Sequence, residues 1–150
     1  MTKIWGYTLW MFFHTITEKI KDDSFEKHKT FMINIIESLC NTIPCDECEK
    51  DARQYIKRNP LNRVKTKSDL KLYLFDFHNY VNKKTNKPQY LLKDLEFYNT
   101  VQFSQVITFF KKYYLHYRGS GLDLTKGLHR RITITHMFKH MAKHIEDFHD

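Results

Sequence analysis

Apolar residues recur along this chain at spacings of three and four, the period of helices that bury one face. Trp5, Leu9, Phe12, Ile16 and Ile20 form the first stripe and predict a helix over residues 8–21. Trp10 and His14 lie one turn apart on a second stripe of the same helix. Asp22-Asp23-Ser24 breaks the pattern, and Asp23 with Glu26 reads as a capping box opening a second helix. Phe31, Ile35 and Leu39 carry that helix to about residue 41. A third starts after Pro44, at Cys45 or Asp46, and places Asp46, Glu47 and Glu49 in its first turn, where the helix dipole favours anions. It ends before Asn59-Pro60. Ser68 is the expected N-cap of a fourth helix, which buries Leu70, Leu74, Phe77 and Val81 and fades at Thr85-Asn86. A short helical turn over 94–98, a stronger helix over 105–117 and a last one over 134–148 complete the pattern. Gly119-Ser120-Gly121 is the clearest break.

Composition narrows the architecture. Four Gly and three Pro among 150 residues are too few for the tight turns of a sandwich or barrel. Apolar residues make up 41% and aromatics 15%, which is enough core for one folded unit and excludes a disordered tail. The expected fold is all-α, a four-helix bundle core with additional C-terminal helices. Residues 1–100 are expected to form the core and 101–150 a helical extension that packs on it or mediates dimerisation.

The net charge of +8 points to an anionic cofactor or to nucleic acid. From residue 101 onward there are eight basic and four acidic residues, so half the excess lies in each part of the chain. No basic tail stands out, and nucleic acid is not the expected partner. The longest early run without a charged residue, 4–17, spans 14 residues and contains His14; a membrane span needs about 20 apolar residues. It also lacks the small-residue cleavage site of a signal peptide. No membrane is expected.

The chemistry gathers around three cysteines, Cys40, Cys45 and Cys48. Pro44-Cys45-Asp46-Glu47-Cys48 puts a dithiol at a helix N-terminus, where N–H groups stabilise the reactive thiolate. A two-residue spacer also lets the sulfurs close an exchangeable disulfide. Three acidic neighbours oppose the thiolate, so activation should be moderate. A zinc site would need four ligands, and a set built from Cys40 and a distant His would be irregular. Two inert buried cysteines are a further alternative. A thioredoxin-like module is disfavoured, since no strand–helix alternation surrounds the motif.

His78, Asn79 and Asn82 form a polar strip beside an apolar face, and Asn suits a helix interior only when its amide has a partner. By themselves they read equally as a solvated or internally bonded face. Trp10 with His14 reads equally as an aromatic core stripe. His136, His140 and His144, at i, i+4 and i+8, have a metal-compatible spacing. Packing or dimerisation suits that Lys-rich helix better, and no metal is expected. Phe109, Phe110, Tyr113 and Tyr114 offer an aromatic surface for packing on the core or for dimerisation.

Taken jointly, these blocks have a likeness. Gly6 to His14 resembles the G-x-x-x-W-x-x-x-H segment of the FAD-linked thiol (sulfhydryl) oxidases, the augmenter-of-liver-regeneration group with relatives in large DNA viruses. Pro44-Cys45-Asp46-Glu47-Cys48 resembles the family's P-C-x-x-C, and Tyr55 falls at an aromatic position frequent in the group. His78-Asn79-Tyr80-Val81-Asn82-Lys83-Lys84 followed by Lys87-Pro88 is similar to H-N-x-V-N-x-K…K-P. Order and spacing agree over about residues 5–98.

The resemblance implies a helical FAD-binding bundle that forms disulfides in protein substrates and passes the electrons to O2, giving H2O2. Cys45 would be the interchange thiol and Cys48 the flavin-proximal sulfur. Gly6, Tyr7, Trp10, His14, Tyr55, His78, Asn79, Val81, Asn82, Lys84, Lys87 and Tyr90 would contact the cofactor. The implied partners are a dithiol protein or a thioredoxin-like relay, and a second copy in a homodimer. A host cytoplasm or virion is the implied setting for a viral source. The chain departs from the family in four respects. It has no shuttle cysteine pair and no C-terminal staple. Tyr7 stands where Arg is frequent, and Tyr73 where Trp is expected. The aromatic after Lys-Pro is Phe97 or Tyr98. Cys40 has no family role, and reads as a buried thiol in the second helix or as a bridge to another subunit. The alternative reading is a basic helical zinc or nucleic-acid adaptor without redox activity.

Overall fold

The computed structural model describes residues 4–115, 117 and 124–150; the Gly119-Ser120-Gly121 break lies outside the described residues. The chain is all-α, as its periodicity predicts. Helix α1 spans Ile4–Lys19, α2 Phe25–Cys40, α3 Asp46–Arg58 and α4 Lys67–Lys84. A short α5, Phe97–Thr100, follows a 3-10 turn at Leu92–Glu96; α6 is Phe103–Phe110, and α7 is Leu124–Lys143. No helix among the described residues is long and apolar enough to cross a membrane.

Helix α1 lies in the middle. It packs against α4, α5 and α6, while α2 packs against α3 and α7. The stripe Trp5, Leu9, Phe12, Ile16 and Ile20 is buried throughout, and meets Leu70, Leu74 and Phe77 of α4 in one core. The helix starts at Ile4, four residues before the sequence predicts, because Trp5 is already part of the buried stripe. Gly6 sits inside it, and a Cβ there would meet nothing within 4 Å.

Helix starts expose where pattern reading stops. The Asp23/Glu26 capping box does not form. Asp22–Ser24 makes a 3-10 turn instead, closed by Ser24 N–H donating to the Lys21 carbonyl at 3.0 Å, and Glu26 pairs with Lys29. The N-cap of α4 is Thr66 and not Ser68. The Asp69 N–H donates to Thr66 Oγ1 at 3.0 Å, and Asp69 Oδ2 accepts from the Thr66 N–H at 3.0 Å. That reciprocal arrangement needs a carboxylate three residues on, which Thr66 has in Asp69; Ser68 would face Lys71. Asp69 is held below the usual carboxylate range by these N–H donors.

The last helix begins ten residues before the predicted start at 134. Its first turns hide from periodicity because Leu124 and Leu128 point outward while the buried positions are Gly127 and Arg130. Arg130 donates from Nε to the Thr42 carbonyl at 2.8 Å, beside the turn leading into α3, and its guanidinium lies over the Tyr114 ring. The helix over 105–117 divides into α6 and a π-helical turn, Lys111–Leu115. Phe110 and Tyr114 are fully buried against Phe12 and each other, so the expected four-ring aromatic surface reduces to the half-buried Phe109 and Tyr113.

After α7 a 3-10 turn at Ile145–Asp147 returns the chain to α1, where Phe148 bridges Ile20. The Lys21 N–H donates to the Asp147 carbonyl at 2.9 Å and the His149 N–H to the Lys19 carbonyl at 2.7 Å.

Candidate active site

Cys45 is the N-cap of α3, in extended backbone, and is disulfide-bonded to Cys48. Its sulfur accepts from the Cys48 N–H at 3.3 Å, so the pair sits on the free donors of the helix start. Both residues are partly exposed. Cys48 lies in the wall of a cavity of about 410 Å³, whereas Cys45 is not among the residues that line it.

That cavity is built by α1, the start of α3, α4 and the segment after it. Gly6, Tyr7, Trp10, Cys48, His78, Val81, Asn82, Lys84, Lys87 and Tyr90 line it. Its apolar wall comes from Trp5, Leu9, Met11, Phe13, Ile43, Ala52 and Phe77. The volume falls in the range of small-molecule and cofactor sites. Trp5 is buried, and its indole N–H has no partner among the described residues.

His14, Asn79 and Tyr55 stand behind this wall. His14 Nε2 is 2.9 Å from His78 Nδ1, and Trp10 stacks flat on His78, with ring centres 4.2 Å apart. Burial holds His14 down to about 4 and His78 to about 3, the latter also disfavoured by His14 and Lys87. Both rings are therefore neutral at physiological pH, and one N–H is shared between them. Asn79 spends its amide on the following segment: Nδ2 donates to the Tyr90 carbonyl at 3.0 Å, and Oδ1 accepts from the Tyr90 N–H at 2.8 Å. This holds Tyr90 at the cavity, its ring 4.6 Å from that of His78. Tyr55 stacks on Phe77 at 4.5 Å and so backs the wall from outside. Burial, then the nearby Asp76, push its hydroxyl up to about 12.

The end of α4 aims the two lysines. Asn86 takes φ 56°, a left-handed conformation that Asn tolerates better than most residues, and the Lys87 N–H closes onto the Asn82 carbonyl at 2.8 Å. Lys84 pairs with Asp51 at 2.7 Å, which raises its pKa. Of the two aromatics after Lys-Pro, Tyr98 enters the cavity wall and stacks on His14 at 4.7 Å, whereas Phe97 is half exposed.

Cys40 is the buried thiol that the sequence leads one to expect, but its place in the cavity wall, like the position of Lys126, escapes sequence reasoning. It is free, and is pushed up to about 12 by burial and then by Glu37, which keeps it protonated and inert. Lys126 reaches from α7 to the acidic first turn of α3, 3.1 Å from Asp46 Oδ1 and closer to Glu49 Oε2. It offsets the negative charge that opposes a thiolate at that helix start. Nothing in the spacing signals either, since both depend on how distant helices pack.

Fold and site together define an all-helical protein with a disulfide in the wall of a cavity of cofactor size. The chain matches the Erv1 / Alr family over residues 7–111 and belongs to it. It is 37% identical over 92 residues to protein 096R of Invertebrate iridescent virus 3, covering 61% of this chain and 62% of that protein. An FAD-linked sulfhydryl oxidase of African swine fever virus is 32% identical over 83 residues, 55% of this chain and 69% of the relative. The mitochondrial FAD-linked sulfhydryl oxidase ERV1 of Saccharomyces cerevisiae is 27% identical over 85 residues, 57% and 44% of the two chains. The chain thus spans less than two thirds of the iridescent-virus protein and less than half of the yeast one. No solved structure matches.

Proposed function

We propose that this chain is an FAD-dependent thiol oxidase that forms disulfides in protein substrates. The observation that carries the reading is the Cys45–Cys48 disulfide on the first turn of α3, with Cys48 and not Cys45 in the cavity wall. The family relatives named FAD-linked sulfhydryl oxidases support it.

A substrate thiolate attacks Cys45, which does not line the cavity, and Cys48 leaves as a thiolate stabilised by the helix start. The second substrate thiol then resolves the mixed disulfide, releasing an oxidised substrate and leaving Cys45 and Cys48 as a dithiol. FAD held in this cavity would supply the two-electron sink for restoring the Cys45–Cys48 disulfide, with O2 as the final acceptor and H2O2 as its product.

The residues present suit such a cofactor. Trp10, Phe77, Tyr90 and Tyr98 give flat apolar surface, His78 and Asn82 give polar edges, and the orphaned Trp5 N–H is a donor in the wall. Lys84 and Lys87 bring positive charge for a pyrophosphate. The neutral His14–His78 pair holds the wall in register without adding charge.

In the same reading residues 1–100 are the cofactor-binding core and 101–150 an extension packed on it. The donors are dithiol proteins or a thioredoxin-like relay, the chain pairs as a homodimer, and the setting is a viral one, in host cytoplasm or virion.

An absorption spectrum of the freshly purified protein tests the proposal. The expected result is a flavin spectrum that bleaches with dithiothreitol without oxygen and returns in air with release of peroxide. Turnover should vanish in Cys45→Ala and Cys48→Ala and persist in Cys40→Ala. A protein that stays colourless after incubation with FAD, or a Cys48→Ala variant with full turnover, would overturn it.

A further inference from the structure

A second cluster of ligand-bearing side chains lies outside the redox cavity, and none of its members lines that cavity. His28 on α2 faces His140 and His144 on and just after α7, and Asp147 in the 3-10 turn beyond. Of the three histidines spaced along the last helix, His136 stays exposed while His140 and His144 turn inward toward α2.

His28 Nε2 is 2.7 Å from Asp147 Oδ2, and His144 Nδ1 is 3.9 Å from the same oxygen. One ligand atom from each of His28, His144 and Asp147 falls within 4.8 Å of the other two. Three bonds of about 2.0–2.1 Å to one tetrahedral ion place such atoms roughly 3.3 Å apart. Closing the set therefore draws in His144, which is partly exposed, by side-chain rotation and opens the 2.7 Å contact between His28 and Asp147.

His140 completes the arrangement. Its Nε2 is 3.0 Å from His28 Nδ1, and its ring stacks on Phe31 with centres 3.8 Å apart. The bond fixes the buried His28 ring so that Nε2 faces Asp147, the outer-shell role that orients metal-binding histidines. Without an ion, His28 Nε2–H donates to Asp147 and Nδ1 accepts from His140; moving that proton to Nδ1, with His140 becoming the acceptor, frees the Nε2 lone pair for a metal.

We propose that His28, His144 and Asp147 bind a divalent transition metal, zinc first by ligand type, with His140 orienting His28. Two imidazoles and one carboxylate suit zinc better than calcium or magnesium, which prefer oxygen throughout. A fourth position is left to water. On binding, the His28 proton shifts from Nε2 to Nδ1, where His140 accepts it, and the Lys27 ammonium, 3.0 Å from the same carboxylate oxygen, gives way to the ion. The ion would tie α2 to the turn that carries Phe148 back to Ile20, so its role is to fasten the C-terminal segment.

The test uses the whole, oxidised protein as purified, stripped with a chelator and titrated with zinc by calorimetry. One equivalent should bind and raise the thermal midpoint. Affinity should fall at least tenfold in His144→Ala and in Asp147→Asn, and hold in His136→Ala and in the Cys45→Ser/Cys48→Ser double variant. X-ray absorption at the zinc edge of the unmodified chain needs no variant, and should show nitrogen and oxygen ligation without sulfur. No binding, binding that survives both His144→Ala and Asp147→Asn, or sulfur in the absorption spectrum would each overturn the proposal.

Discussion

Two neutral histidines locked together behind a cavity make stability depend on pH in a way that can be calculated. His14 and His78 share one proton at 2.9 Å and are held at about 4 and about 3, against an ordinary value of 6.5. Their folded values lie below the unfolded ones, so the stability they contribute is complete above about pH 6.5. It is lost as pH falls through the folded values, because the unfolded chain takes up protons that the folded chain refuses. At pH 5 both folded rings remain neutral, so the loss is set almost wholly by the unfolded value. It amounts to about 2 kcal/mol per ring between pH 7.5 and 5, or roughly 4 kcal/mol for the pair. Denaturant unfolding at fixed flavin concentration, repeated across that range, reads the loss. His14→Gln/His78→Gln keeps polar side chains and removes the titration, so its stability should fall by about 4 kcal/mol less than that of the unmodified chain. His140, also held low by burial, titrates in both proteins and cancels from the difference. A difference below about 1 kcal/mol would refute the neutral pair.

Two further outcomes follow from the helix starts. Thr66→Ala removes the reciprocal cap of α4 and should cost about 1 kcal/mol in denaturant unfolding, whereas Ser68→Ala should cost little; equal losses would contradict the capping geometry. Lys126→Gln leaves Asp46 and Glu49 without their α7 cation, so alkylation of the reduced dithiol should move to higher pH by a few tenths of a unit. An unchanged or lower midpoint would remove Lys126 from any role in setting thiolate character.

The local facts about this chain were already written in its order of residues. A stripe such as Trp5, Leu9, Phe12, Ile16 and Ile20 can be buried on one side only as a helix, and four such stripes with few Gly and Pro leave an all-α bundle as the economical answer. Pro44 ahead of Cys45 sets a helix start on the dithiol, because both depend on neighbours within one turn. The cap of α4 is also local, Thr66 with a carboxylate three residues on, yet the pattern points to Ser68 because it does not test the reciprocal pairing.

What distant helices bring together could not be read in this way. Periodicity assumes that buried means apolar, so it misses the first half of α7, where Arg130 is buried by bonding to Thr42. It gives Tyr98 and Phe97 equal standing, and only the packing of α5 against α1 stacks Tyr98 on His14 and leaves Phe97 outside. It sees three evenly spaced histidines on one helix, whereas the fold discards His136 and recruits His28 and Asp147 from elsewhere. Sequence thus determined the elements and the dithiol, which depend on bonds within a turn. Tertiary structure decided which side chains face the cavity, which cation lies beside the disulfide and which histidines meet, because those depend on contacts between residues far apart in the chain.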